Sequence, residues 1–116
     1  MKTINEMMEE TNMPVLITNQ LGIITYVNDP FKVVFGWNAD EIIGQTLIAV
    51  IPSIFHDSHH LGFSRFVMTE KSTILNHPLQ LKAVTKDGTE IDAEHFITAE
   101  QHQGQWIFGA TLRPLI

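Results

Sequence analysis

The spacing of the hydrophobic positions changes several times along this chain, and each change predicts an element. Within residues 1–12 the apolar side chains recur three to four residues apart among glutamates, which predicts an amphipathic helix. Residues 14–19 and 23–27 are apolar runs separated by a short turn that ends in Gly22, and this arrangement predicts an antiparallel hairpin. The chain is therefore expected to begin with one helix and two paired strands.

Capping residues predict two short helices after the hairpin. Asn28 offers a side-chain cap, Pro30 suits a first helical position, and Gly36 ends the segment. Asn38 offers a second cap, and Gly44 ends the helix that follows it. We expect two short helices in succession.

The second half of the chain alternates between apolar and polar positions. Residues 79–83 and 91–97 alternate on either side of the turn residues 86–89, which predicts a second hairpin. After a further turn, residues 105–112 form an aromatic strand in which Gly109 would let another backbone or a ligand approach closely. Strands at both ends with helices between them predict an α+β fold, in which a five-stranded antiparallel sheet is covered on one face by short helices.

Composition and charge exclude several classes of protein. With 116 residues, the chain has room for one domain, expected over residues 13–116 behind the N-terminal helix. Seven basic against thirteen acidic residues give a net charge of −6, so nucleic acid is an unsuitable partner. We find no membrane span and no secretion signal, which predicts a cytoplasmic protein. The chain has no cysteine and no recognisable catalytic motif, so we do not expect an enzyme.

An aromatic stripe with one imidazole is the candidate site. If residues 55–69 form a helix, Phe55, His59, Phe63 and Phe66 share one face. A histidine among aromatic side chains can bind a metal ion, and it can equally be a core residue with a satisfied hydrogen bond. The stripe alone leaves both interpretations open.

The order of several short segments resembles the PAS sensory domains. The resemblance lies in residues 22–28, the Phe35-Gly36-Trp37 step, residues 41–44, the turn at 86–89 and the closing strand at 104–113. It implies a five-stranded sheet with a helical flank that encloses a cavity. It also implies an input module of a larger signalling protein, attached to an output domain such as a histidine kinase or a cyclic-nucleotide synthesising enzyme.

The segment around His59 is further similar to the haem-carrying helix of the FixL-type oxygen sensors. This resemblance implies haem b with His59 as the axial iron ligand, His60 as the alternative ligand, and Arg65 near a propionate. At Leu79 those sensors place an arginine over bound oxygen, so a charged donor is missing here. His56 and His60 could instead hold a surface metal ion. The other residues that the resemblance places around the cofactor are Phe63, Phe66, Leu79 and Ile97.

Two alternatives to haem stay open. The domain could work without a cofactor, as a dimerisation or protein-interaction module. It could also bind a flavin non-covalently beside Trp37 or Trp106, although photochemistry through a cysteine adduct is excluded. A homodimer is expected through the sheet face and the N-terminal helix, where Ile4, Met7 and Met8 form an apolar side.

Overall fold

A five-stranded antiparallel sheet forms the centre of the computed structural model, which describes residues 3–57, 59, 66 and 75–115. The strands lie in the order β2-β1-β5-β4-β3, so the first and the last strand of the chain are neighbours. The α+β fold and both hairpins are confirmed. The strands are β1 (Val15–Asn19), β2 (Ile24–Val27), β3 (Pro78–Val84), β4 (Glu90–His102) and β5 (Gln105–Pro114).

Short helices precede β1 and lie between β2 and β3. The helices are α1 (Ile4–Met8), α2 (Asp29–Phe35) and α3 (Ala39–Ile42), followed by two 3₁₀ helices at Leu47–Val50 and Ser53–Phe55. His56, Asp57, His59 and Phe66 are also helical. No helix in the described ranges is long and apolar enough to span a membrane.

The bounds of α2 follow from its caps. The Asn28 side chain accepts a hydrogen bond from the backbone N–H of Phe31, and Pro30 lies in the first turn. Gly36 ends the helix with a φ of 79°, a left-handed conformation that glycine adopts without a steric penalty. The predicted start and end of this helix are confirmed.

The inner face of the sheet carries the main core. Leu16 of β1 lies opposite Ala110 of β5, and both side chains are buried against α2 and α3. Phe31 and Phe35 of α2 stack with ring centroids 4.6 Å apart and are fully buried. The other buried members of this core are Ile24, Val27, Ile42, Val50, Ala83 and Leu112.

Helix α1 packs on the opposite, outer face of the sheet. Ile4 and Met7 are buried there against Val15 and Ile17, whose side chains alternate with that of Leu16. The N–H of Ile4 donates a 2.8 Å hydrogen bond to the carboxylate of Glu100. The sheet is therefore covered on both faces, with the predicted helical flank inside and α1 outside.

Gly109 makes this packing possible. A Cβ atom at Gly109 would lie 2.6 Å from Cδ1 of Ile4 and 2.7 Å from Sδ of Met7, well inside contact distance. The sequence predicted that a backbone or a ligand comes close to this glycine, and the approaching atoms are instead side chains of α1.

Candidate functional site

The inner face of the sheet is partly open where β3 and β4 carry Leu79, His95 and Ile97, whereas Ala83 and Ala93 on the same two strands are buried. Leu79, His95 and Leu112 are direct cross-strand partners, so their side chains share the inner face. Leu112 is buried, whereas Leu79 and His95 are half-buried. Ile97 lies opposite buried Ala110 and is also half-buried. The structure thus brings the predicted residues Leu79 and Ile97 together, on a wall that faces the core and keeps accessible surface.

An aromatic cluster closes the inner face at the start of β5. Phe66 is 6% exposed, and its ring meets those of Trp106 and Phe108 edge to face, with centroids 4.9 and 5.3 Å away. Edge-to-face geometry is the favoured arrangement of aromatic pairs. Phe66 therefore packs against the inner face of the sheet.

The predicted histidine site is only partly within the described residues. His59 is helical and half-buried. Its predicted neighbours His60, Phe63 and Arg65 lie outside the described residues.

The prediction that Phe55 shares a helical face with His59 is wrong. Phe55 ends a 3₁₀ helix that follows Pro52, and its side chain is 47% exposed. Because the α-helical residues begin only after it, Phe55 does not join a buried aromatic stripe with His59.

His56 has a structural hydrogen bond. Its Nε2 lies 2.7 Å from the carbonyl oxygen of Ile51, and since a carbonyl only accepts, Nε2 is the donor. A metal ion shared with His60 would have to use the other ring nitrogen or break this bond. Within the described ranges, no group of three or more metal-binding side chains is present.

His95 lies on the same part of the inner face, and the sequence alone did not single it out. Its Nδ1 lies 3.1 Å from the carbonyl oxygen of Ala93, and burial lowers the pKa of the imidazole, partly opposed by that hydrogen bond. The neutral ring is therefore the stable form, with its proton on Nδ1 and a lone pair on Nε2. The sequence did contain a signal for it. His95 stands in the alternating set Ile91, Ala93, His95 and Ile97, and the three remaining members are all apolar.

The two tryptophans proposed as flavin neighbours lie on different elements. Trp37 follows α2 and packs against the main core, with Nζ of Lys86 5.5 Å from its ring centroid. Its indole Nε1 is buried and has no hydrogen-bond partner among the residues that the structure describes. Trp106 instead joins the aromatic cluster on β5.

Comparisons with known proteins agree with this architecture. The PAS fold family model matches residues 3–113. An uncharacterised protein of Azorhizobium caulinodans is 26% identical over 102 residues, which are 87% of this chain and 14% of that protein. The chain therefore spans about one seventh of the relative that it matches.

Solved structures show the same fold at low sequence identity. A PAS domain from Desulfitobacterium hafniense superposes with a TM-score of 0.74 at 18% identity, covering 93% of this chain and 97% of that one. A light-oxygen-voltage domain studied with a flavin analogue superposes with a TM-score of 0.68 at 13% identity, covering 90% and 78%. Family match, strand order and helical flank agree, and the chain belongs to the PAS family of sensory and signalling domains.

Proposed function

We propose that this sensory module binds a planar, mainly apolar cofactor between its helical flank and the inner sheet face, with haem b as the leading candidate. The observation that carries the proposal is the wall formed by β3 and β4. Leu79 and Ile97 point toward the core yet are only half-buried, whereas the inner side chains of β1 and the end of β5 are buried. Partly accessible apolar side chains at the core of a domain favour a bound apolar ligand.

The residue types assigned to the proposed site suit haem. A neutral imidazole in apolar and aromatic surroundings is the donor set that haem iron takes in many proteins. We assign His59 as the axial ligand, His60 as its alternative and Arg65 as the propionate partner. Phe63, Phe66, Leu79 and Ile97 would exclude water. When bound, haem would supply an iron centre for reversible binding of a small gas or for an electron. Leu79 gives such a gas no charged hydrogen-bond donor.

Signalling would pass from the core to an attached output domain. A ligand that binds two conformations of the flank with different affinity shifts the population between them. We place the module in the cytoplasm and expect a homodimer. Since Ile4 and Met7 already pack on their own sheet, a dimer would use the exposed side of α1 or exchange this helix between chains.

Reconstitution with hemin tests the proposal. Purified protein titrated with hemin should develop a sharp, intense absorption band in the violet at one equivalent. His59→Ala should abolish that band, and His60→Ala should keep it. A band lost in His60→Ala alone would move the axial ligand to His60. Wild-type protein that gives only the broad spectrum of free hemin would contradict haem binding.

A cofactor-free interaction module is the second candidate, and the packing of the α2 side of the core favours it. Phe31 and Phe35 are fully buried there, which leaves them no exposed surface for a ligand. Titration with flavin mononucleotide separates the remaining possibilities. Protein that binds neither hemin nor the flavin would support the cofactor-free module, and quenching of flavin fluorescence at one equivalent would support a flavin domain.

A further inference from the structure

We infer that His95 is a ligand-contacting residue of the β3–β4 wall, and that its Nε2 is the lone-pair donor offered to an iron porphyrin held in the core. The inference rests on the proposed function, because it needs an occupant on the inner face of the sheet. It adds a contact from the sheet, on an element separate from the helical segment that carries His59.

The register of the sheet places His95 on the inner face. His95 lies directly between Leu79 of β3 and Leu112 of β5, and Leu112 belongs to the main core. Its neighbours two positions away along β4 are Ala93 and Ile97, which point to the same side. His95 is therefore the one ionisable side chain in an apolar row on β4, Ile91 to Ala99.

The hydrogen bond of Nδ1 determines which ring nitrogen of His95 is free to bind iron. The carbonyl oxygen of Ala93 can only accept, so Nδ1 carries the proton and Nε2 keeps its lone pair. This arrangement, in which the second ring nitrogen of a ligating histidine donates to a carbonyl, fixes the tautomer and orients the ring. Among the described residues, Nε2 of His95 has no hydrogen-bond partner. The ring is thus already oriented and deprotonated for a Lewis acid.

A purely structural histidine is the competing explanation. A core imidazole is usually satisfied at both nitrogens, because a buried polar atom without a partner costs about 1–3 kcal/mol. Here one nitrogen is satisfied, and the half-buried ring keeps accessible surface. If His95 serves only packing, His95→Leu should leave the spectrum of bound hemin unchanged. If His95 binds iron, the same substitution should change that spectrum.

Hemin-loaded variants test the inference. We expect wild-type protein to give the electron paramagnetic resonance signal of low-spin ferric haem with two nitrogen ligands. His95→Leu should convert it to a high-spin signal and weaken hemin binding about tenfold, the equivalent of one lost contact of about 1.4 kcal/mol. His95→Gln keeps a polar side chain at this position but supplies no imidazole nitrogen, so it should also give the high-spin signal and the weaker binding. His102→Leu, at the exposed end of the same strand, is the matched control and should behave as wild type.

The outcomes separate the two proposals. If wild type and His95→Leu bind hemin with equal affinity and the same spin state, the inference about His95 is wrong and haem binding stands. If wild type itself does not bind hemin, both proposals fail together. Circular dichroism of each variant before hemin is added shows whether the variant is folded. If His95→Leu is unfolded, the hemin spectrum of His95→Gln tests the inference in its place.

Discussion

Asn28 joins three parts of the molecule through one buried side chain. Its Oδ1 accepts from the N–H groups of Val15 and Phe31 at 2.9 and 3.1 Å. Its Nδ2 donates to the carbonyl oxygens of Glu10 and Met13 at 3.1 and 2.8 Å. The chain after α1, the start of β1 and the N-terminus of α2 therefore share one amide.

Asn28→Ala should lower the free energy of unfolding by about 3 kcal/mol, because it removes a helix cap and leaves buried backbone groups without partners. Urea denaturation measures this change. Asn38→Ala is the control, since Asn38 is the N-cap of α3 at an exposed position. We expect a loss of about 1 kcal/mol or less there. Equal losses at the two sites would contradict the role given to Asn28.

His95 should make stability depend on pH. Burial lowers its pKa in the folded state, so the unfolded chain binds more protons and stability falls as pH decreases below the unfolded value of about 6.5. In His95→Leu this loss is absent. The difference in unfolding free energy between His95→Leu and wild type should therefore shift in favour of the variant between pH 8 and pH 5. A difference that is constant over this range would show that the imidazole is not desolvated.

The sequence predicts the contacts of Asn28 and His95 only where the partner is a few residues away in the chain. The cap on α2 was predictable because Asn28 and Phe31 are three residues apart. The bonds from Asn28 to Glu10 and Met13 depend on where α1 docks, which no local pattern contains. For His95, the alternation predicts the face that it shares with its neighbours, but not the hydrogen bond that sets its tautomer.

At the scale of elements, α1 is held on the outer face by the space above Gly109 and by hydrogen bonds at its N-terminus. Gly109 provides the recess for Ile4 and Met7. Thr3 and Glu6 form a capping box, and Glu100 accepts from the N–H of Ile4. This backbone hydrogen bond, with a smaller contribution from His102, lowers the pKa of Glu100.

Gly109→Ala should destabilise the fold by about 1–3 kcal/mol, because the added methyl group forces Ile4 and Met7 out of their packed positions. Urea denaturation gives the total, and amide exchange in α1 shows whether the helix has loosened. The double variant with Ile4→Ala tests the cause. Because the truncated side chain leaves room for the methyl group, Gly109→Ala should cost less in that background. Strictly additive losses would contradict a contact between the two residues.

The sequence predicted that α1 is amphipathic, but not which face of the sheet it covers. An apolar side can pack on the inner core, on the outer face or on another chain with the same pattern. The outcome depends on Gly109, which is more than a hundred positions away from α1 in the chain. The error at Phe55 has a similar origin, since helical spacing was extended through a segment that begins as a 3₁₀ helix after Pro52.

For the whole molecule, the two hairpins were predictable because their turns are local. The pairing of β1 with β5 joins two strands that are far apart in the sequence, and no local pattern predicts it. Lys86 adds a second long-range link. Its N–H donates to the carbonyl oxygen of Phe35 at 2.8 Å, and its side chain pairs with Glu41.

The predicted homodimer can be tested without disturbing the fold. Met8 of α1 is 47% exposed, so Met8→Lys leaves the buried side of the helix intact. If the exposed side of α1 forms a dimer interface, this charge should shift the protein to monomer in sedimentation velocity. Val33→Lys on α2, where the side chain is 83% exposed, is the control and should change nothing. Wild-type protein that sediments as a monomer would rule out the dimer.

Strand β4 has a consequence for communication across the domain. Ile97 and Ala99 point to the inner face of the sheet, while Thr98 and Glu100, which alternate with them, point toward the side where α1 lies. Only a single layer of backbone separates these two environments. A ligand on the inner face that tilts β4 would therefore also move Glu100, which holds the first residue of α1 on the outer face.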